Sequence, residues 1–123
     1  MEGEHPASCT VLVVDDEPDM RFLIRTTLEL AGYGVVEAAH GEAALELVRR
    51  SPPQLVVTDR MMPVMNGSEL IELLRADVST QAIPIVMVSG THAAQAGADA
   101  VLGKPFDPSE LIVLVDRLTG KER

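Results

Sequence analysis

Asp15, Asp16, Asp59, Ser89 and Lys104 are the residues whose types and placement point to chemistry, because each follows directly on a short apolar run. A single acid at such a place is ordinarily a turn residue or a helix cap. The joint pattern is different. Three carboxylates brought together repel one another and raise each other's pKa. A hard divalent cation relieves that conflict, and Mg2+ suits it because it prefers oxygen ligands and keeps water and substrate phosphate in its shell. One carboxylate can then attack phosphorus to give an acyl phosphate. A hydroxyl and an ammonium beside the metal neutralise charge on the transferred group, the parts offered by Ser89 and Lys104. The chemistry this set predicts is Mg2+-dependent phosphoryl transfer to Asp59.

The elements that must position these residues alternate along the chain. Thr10-Val11-Leu12-Val13-Val14 is continuously apolar and β-branched, as a strand buried on both faces of a parallel sheet requires, and it stops at Asp15-Asp16. Pro18 suits the first turn of a helix, in which Met20, Leu23, Thr27 and Leu30 recur at helical spacing up to Gly32. Val35 to Ala38 reads as a second strand, Gly41 to Arg50 as a helix ended by Ser51-Pro52-Pro53, and Leu55 to Thr58 as a third strand ending at Asp59. After the Pro63 and Gly67 loop, Leu70, Ile71 and Leu74 mark a helix reaching Ala76. Ile83 to Val88 and Ala100 to Gly103 read as the last two strands, ending at Ser89 and Lys104. A closing helix from Pro108 turns Leu111, Leu114, Val115 and Leu118 inward. Strands alternating with helices in one domain predict an open α/β sheet with right-handed crossovers and helices on both faces. Ligands bind such sheets at the carboxyl ends of the strands, where four of the runs deliver the residues above.

Composition sets the bounds. The chain of 123 residues fits one domain, and a hydrophobic content of 46% with 2% aromatics predicts an aliphatic core. Nineteen acids against ten bases give a net charge of -9, which disfavours direct binding to nucleic acid. Cys9 is the one cysteine, so no intrachain disulfide forms, which suits a reducing cytoplasm. No stretch is apolar over the length of a membrane span, and the opening residues do not read as a signal peptide.

Longer motifs sharpen the reading. Asp59-Arg60-Met61-Met62-Pro63-Val64-Met65-Asn66-Gly67 matches D-x-x-M-P-x-M-x-G, preceded by the pair Asp15-Asp16. Ser89-Gly90, Gly97-Ala98-Asp99 and Lys104-Pro105-Phe106 follow in order. On these residues the chain resembles the receiver domains of two-component response regulators, of the chemotaxis-response-regulator-like kind, from about Thr10 to Thr119. The resemblance implies a five-stranded parallel sheet, doubly wound in the flavodoxin-like order 2-1-3-4-5. It divides the chain into an extension over 1–9, a receiver domain over 10–119 and a tail over 120–123.

The resemblance also implies roles. Asp59 would be the phosphoacceptor, and Asp16 and Asp59 would bind Mg2+ directly. Asp15 would assist through water, and the Met61 backbone carbonyl would complete the protein ligands. Ser89 and Lys104 would each pair with a phosphoryl oxygen. Such a domain is a signalling switch rather than a turnover enzyme, catalysing its own phosphorylation and dephosphorylation. Its donor would be a sensor histidine kinase or a histidine phosphotransfer protein, and the acyl phosphate would alter binding to a downstream protein. A cytoplasmic monomer with no contact to nucleic acid or membrane is expected. Two rivals fit less well: a degenerate receiver would not keep the full acid, hydroxyl and lysine set, and haloacid-dehalogenase-like phosphatases need a D-x-D-x-[TV] signature that is absent here.

The sequence departs from the family in two places. Typical receivers carry Tyr or Phe three residues before the lysine, where this chain has Val101. The segment from Ser89 to Lys104 is short by about seven residues, roughly two helical turns, so the fourth helix should be stunted or missing. That puts the aromatic switch and a dimer through that face in doubt, and makes Ser89 with the loop Gly90 to Gly97 the expected path of the signal. Of the remaining candidates, Met61, Met62 and Met65 read as loop and core packing, and His5, His40 and His92 as scattered residues without metal-ligand spacing. Glu17 reads either as a residue tuning the metal site or as a first-turn acid, and Cys9 as packing beside the first strand.

Overall fold

The computed structural model describes residues 9–91 and 93–121. Residues 1–8 of the expected extension over 1–9, the last two residues of the expected tail and His92 lie outside the described residues. The chain runs β1 (Thr10–Val14), α1 (Pro18–Leu30), β2 (Gly34–Ala38), α2 (Gly41–Arg50), β3 (Leu55–Asp59), α3 (Gly67–Ala76), β4 (Ile85–Ser89), β5 (Ala100–Gly103) and α4 (Pro108–Thr119). All strand pairs are parallel, and the spatial order is β2-β1-β3-β4-β5, as expected.

Strand alternation divides the core into two layers. Val11, Val13, Val57, Val86 and Val88 point to one face, where α1 and α4 supply Ile24, Leu28, Leu111 and Val115. Leu12, Val14, Val56, Ile85 and Met87 point to the other, against Ala44 and Val48 of α2 and Leu70, Ile71 and Leu74 of α3. The three central strands therefore carry apolar residues on both faces up to their polar carboxyl ends, which is why they are legible as nearly uninterrupted runs.

Several boundaries and one face differ from the sequence reading. The fourth strand begins at Ile85 rather than Ile83, because Pro84 has no N–H to give the ladder and only its carbonyl is used, by Val56 N. On α1 the buried stripe is Ile24, Thr27 and Leu28, whereas Leu23 and Leu30 face solvent, Leu30 at 84% exposure. Leucines occur on both sides of this helix, so apolar spacing alone selects the wrong pair.

Among the described residues no helix joins β4 to β5. Arg75 of α3 pins the described part of the crossover. Its Nε donates to Gly97 O at 2.9 Å and one terminal nitrogen to Asp99 Oδ2 at 3.0 Å, while the other donates to Ile83 O at 2.7 Å. Asp99 in turn accepts from Ile85 N at 2.7 Å, so the charged pair staples loop, strand and helix together.

Candidate functional site

The order of the strands reverses between β1 and β3, and the crevice of such a sheet opens at the carboxyl ends of those two strands. Asp15 and Asp16 leave β1 there and Asp59 ends β3. One carboxylate oxygen from each lies within 4.8 Å of the other two, with Asp15 and Asp59 buried and Asp16 exposed. Asp15 Oδ1 accepts from Glu17 N at 2.9 Å. Its buried Oδ2 meets no donor among the described residues. A buried carboxylate oxygen without a partner is costly, and a hard cation is the partner an acidic cluster can accept. The donor set therefore fits Mg2+. Burial foremost, with the charges of Asp59 and Asp16 adding to it, pushes the Asp15 pKa up to about 6, against the opposing pull of the Glu17 N–H and Lys104.

Lys104 follows β5 and brings its Nζ to 3.1 Å from Asp59 Oδ1. Its N–H donates to Ser89 O at 2.7 Å, which ties the start of this loop to the end of β4. Ser89 is 3% exposed and shares the same sheet edge. All five side chains singled out from the sequence thus meet at one end of the sheet.

Local structure explains how they are held. Glu17 is the N-cap of α1, its Oε1 accepting from Met20 N at 3.0 Å, one place before the first turn in which it was expected. Arg21 of α1 donates to Asp15 O at 2.7 Å and pairs with Glu37 Oε1 at 2.9 Å, fixing the backbone behind the acid pair. Arg25 reaches the other oxygen of Glu37. The loop after Asp59 closes through Gly67 N, which donates to Arg60 O at 2.9 Å, and Asn66 caps α3 in a reciprocal box with Glu69. Gly67 has no alternative: a Cβ there would sit 2.2 Å from Asp59 O. Met61 is 74% exposed and so adds little to the core, whereas Met62 is buried and Met65 packs against Gly41.

Three features escaped sequence reasoning. His40 is the N-cap of α2, its Nδ1 accepting from Ala43 N at 3.2 Å. Val64 holds φ at 69° while 91% exposed, a left-handed conformation that β-branched residues resist. Arg60 reaches across to Ser89, its Nε 2.9 Å from Oγ. Only the first had a local signal, a polar residue preceding a glycine-led helix.

Comparison with known proteins agrees with this geometry. Residues 11–116 match the family model described as response regulator receiver domain. A probable transcriptional regulator ycf27 of Porphyridium aerugineum is 38% identical over 108 residues, covering 82% of this chain and 44% of the relative. The chain spans about half the length of the curated relatives it matches, from 44% to 53% for the first three. Among solved structures, a putative response regulator from Chloroflexus aurantiacus superposes with a TM-score of 0.87 at 33% identity, covering 91% of this chain and 98% of that one. The receiver domain of the sensor histidine kinase PA1611 from Pseudomonas aeruginosa, solved with a magnesium ion in its active site cleft, gives a TM-score of 0.86 at 27% identity, with 91% and 98% coverage. The fold, the acid cluster at its switch point and the match across residues 11–116 place this chain in the response regulator receiver domain family.

Proposed function

We propose that the chain is a phosphorylation-dependent switch in which Asp59 accepts a phosphoryl group from a histidine kinase or histidine phosphotransfer protein. The observation that carries this reading is the convergence of Asp15, Asp16 and Asp59 within 4.8 Å, with Lys104 on Asp59 Oδ1. Asp15, Asp16, Asp59 and the Met61 carbonyl would hold Mg2+, as the magnesium in the cleft of the PA1611 receiver domain supports. Bound there, the metal would shield the carboxylates from one another and offset negative charge on the incoming phosphoryl group. A carboxylate oxygen of Asp59 bonds to phosphorus as the bond to the donor's leaving atom breaks, and the donor keeps that electron pair. Lys104 balances charge on the transferred oxygens and Ser89 donates its hydroxyl proton to one of them. Water attack on the same acyl phosphate resets the switch, so the domain turns over its own modification.

The receiver unit is taken as residues 10–119. None of its described helices is long and apolar enough to cross a membrane. With that and Cys9 as the single cysteine of the chain, a cytoplasmic monomer acting on another protein is the setting proposed. Intact mass after incubation with acetyl phosphate and Mg2+ tests the assignment. A single phosphoryl adduct should appear and be absent from Asp59→Asn and Asp16→Ala; an undiminished adduct on Asp59→Asn would reject it.

A further inference from the structure

We propose that Arg60 is a positioning residue for this reaction: it holds the Ser89 hydroxyl as a donor to the group on Asp59 and ties that hydroxyl to the loop between β4 and β5. This rests on the phosphoacceptor reading of Asp59. Arg60 lies directly after Asp59, and its N–H continues the ladder by donating to Val88 O at 3.0 Å. From that anchored start the guanidinium spreads over three partners. Nε donates to Ser89 Oγ at 2.9 Å, one terminal nitrogen to Gln95 Oε1 at 3.2 Å and the other to Ala93 O at 3.3 Å. Gln95 Oε1 also accepts from Ser68 Oγ of α3 at 2.7 Å, so the far end of the fork is held by a helix.

The valences of the Ser89 hydroxyl decide what this arrangement does. A serine oxygen accepts two hydrogen bonds and donates one. Arg60 Nε and Thr91 N, the latter at 3.2 Å, fill both acceptor positions. The remaining valence is the O–H. Thr91 Oγ1, 3.5 Å away, lies beyond normal O–H···O range and does not capture that proton. A phosphoryl oxygen needs a donor and nothing else, so it uses the valence that Arg60 leaves open. Arg60 and the phosphoryl group therefore act on the same hydroxyl together. The planar fork is essential to this, because lysine offers a point charge without the fixed Nε geometry. The same fork carries any movement of Ser89 to Gln95 and Ala93, in the segment between β4 and β5.

The test is a double-mutant cycle on the full chain, read as the initial rate of phosphoryl uptake from acetyl phosphate with Mg2+. Uptake by the wild type and its loss in Asp59→Asn establish the underlying reading; if the wild type takes up no phosphoryl group, that reading falls and this one with it. Arg60→Lys and Ser89→Ala should each slow uptake by about tenfold, the worth of one well-placed hydrogen bond. The double variant should be no slower than Ser89→Ala, because Arg60 acts through the hydroxyl. Multiplying losses would mean that Arg60 meets the phosphoryl group directly, and a faster Arg60→Lys would mean that it holds the hydroxyl back. Either result overturns the assignment.

Fluorine resonances of the beryllofluoride adduct supply a readout that a merely structural role would not move. Arg60→Lys and Ser89→Ala should displace the same resonance, and an unmoved spectrum in Arg60→Lys would overturn the proposal. Gln95→Ala keeps both partners of the Arg60–Ser89 bond and guards against a folding defect at Arg60. It should slow uptake by roughly twofold to threefold, and only when Ser89 is present, since it loosens one hydrogen bond at a distance. Equal slowing in the Ser89→Ala background, or none in either, would overturn it.

Discussion

Lys104 Nζ stands 3.1 Å from Asp59 Oδ1, with the lysine side chain 30% exposed and the aspartate 9%. Among the described residues no other ion pair involves the three clustered carboxylates, so this one balances a charge that burial makes expensive. Lys104→Met should therefore lower the stability of the metal-free protein by about 1 kcal/mol, a partly exposed pair being worth no more. Saturating Mg2+ should stabilise this variant more than the wild type, because the cation then neutralises what the lysine no longer does. Urea midpoints with and without Mg2+ measure both effects. Equal gains would show that the carboxylates do not share one metal site.

Asp15 predicts a pH dependence of the metal-free protein. Its native pKa of about 6 lies above the ordinary value of 3.8. The native state therefore binds the proton more tightly than the unfolded chain. Stability should fall as pH rises from about 4 to about 6, as the unfolded chain ionises first, and this contribution should level off above that window. Asp15→Asn should flatten the slope in that interval. Denaturant titrations at half-unit pH steps would reveal it, and an identical slope in the variant would assign it elsewhere.

Val64 should be replaceable with profit to the fold. Its φ of 69° strains a β-branched side chain that is 91% exposed and gains little from packing. Glycine adopts that conformation freely but loses more entropy on folding, so Val64→Gly should stabilise by about 0.5–1 kcal/mol. The expected signature is a higher urea midpoint at unchanged m-value. A lower midpoint would mean that Val64 makes contacts worth more than its strain.

Gly67 should tolerate nothing larger. A methyl group there would lie 2.2 Å from Asp59 O and 2.9 Å from Met87 Cε, so the start of α3 must move away from the end of β3. Gly67→Ala should cost about 2–3 kcal/mol, as overpacking against backbone does. Because the displaced atom belongs to Asp59, phosphoryl uptake should fall as well, even at temperatures where the variant is fully folded. A folded variant with unchanged uptake would show that the loop absorbs the shift.

By itself the sequence determined the sheet and the contents of its active edge. Strands buried on both faces need apolar residues on both, so β1, β3 and β4 announce themselves, and their polar ends mark Asp15-Asp16, Asp59 and Ser89. That no helix joins β4 to β5 among the described residues was legible too, because chain length between Ser89 and Lys104 is a quantity the sequence states outright. The inner face of α1 was not legible: Leu23 and Leu30 repeat as regularly as Ile24 and Leu28, and only the packing against β1 and β2 chooses between them. The left-handed turn at Val64, the close approach at Gly67 and the reach of Arg60 to Ser89 and Gln95 were likewise decided by tertiary structure alone. Local patterns record which side of a strand or helix is apolar. Contacts between residues about thirty positions apart depend instead on how neighbouring strands bring their ends together, which no local pattern records.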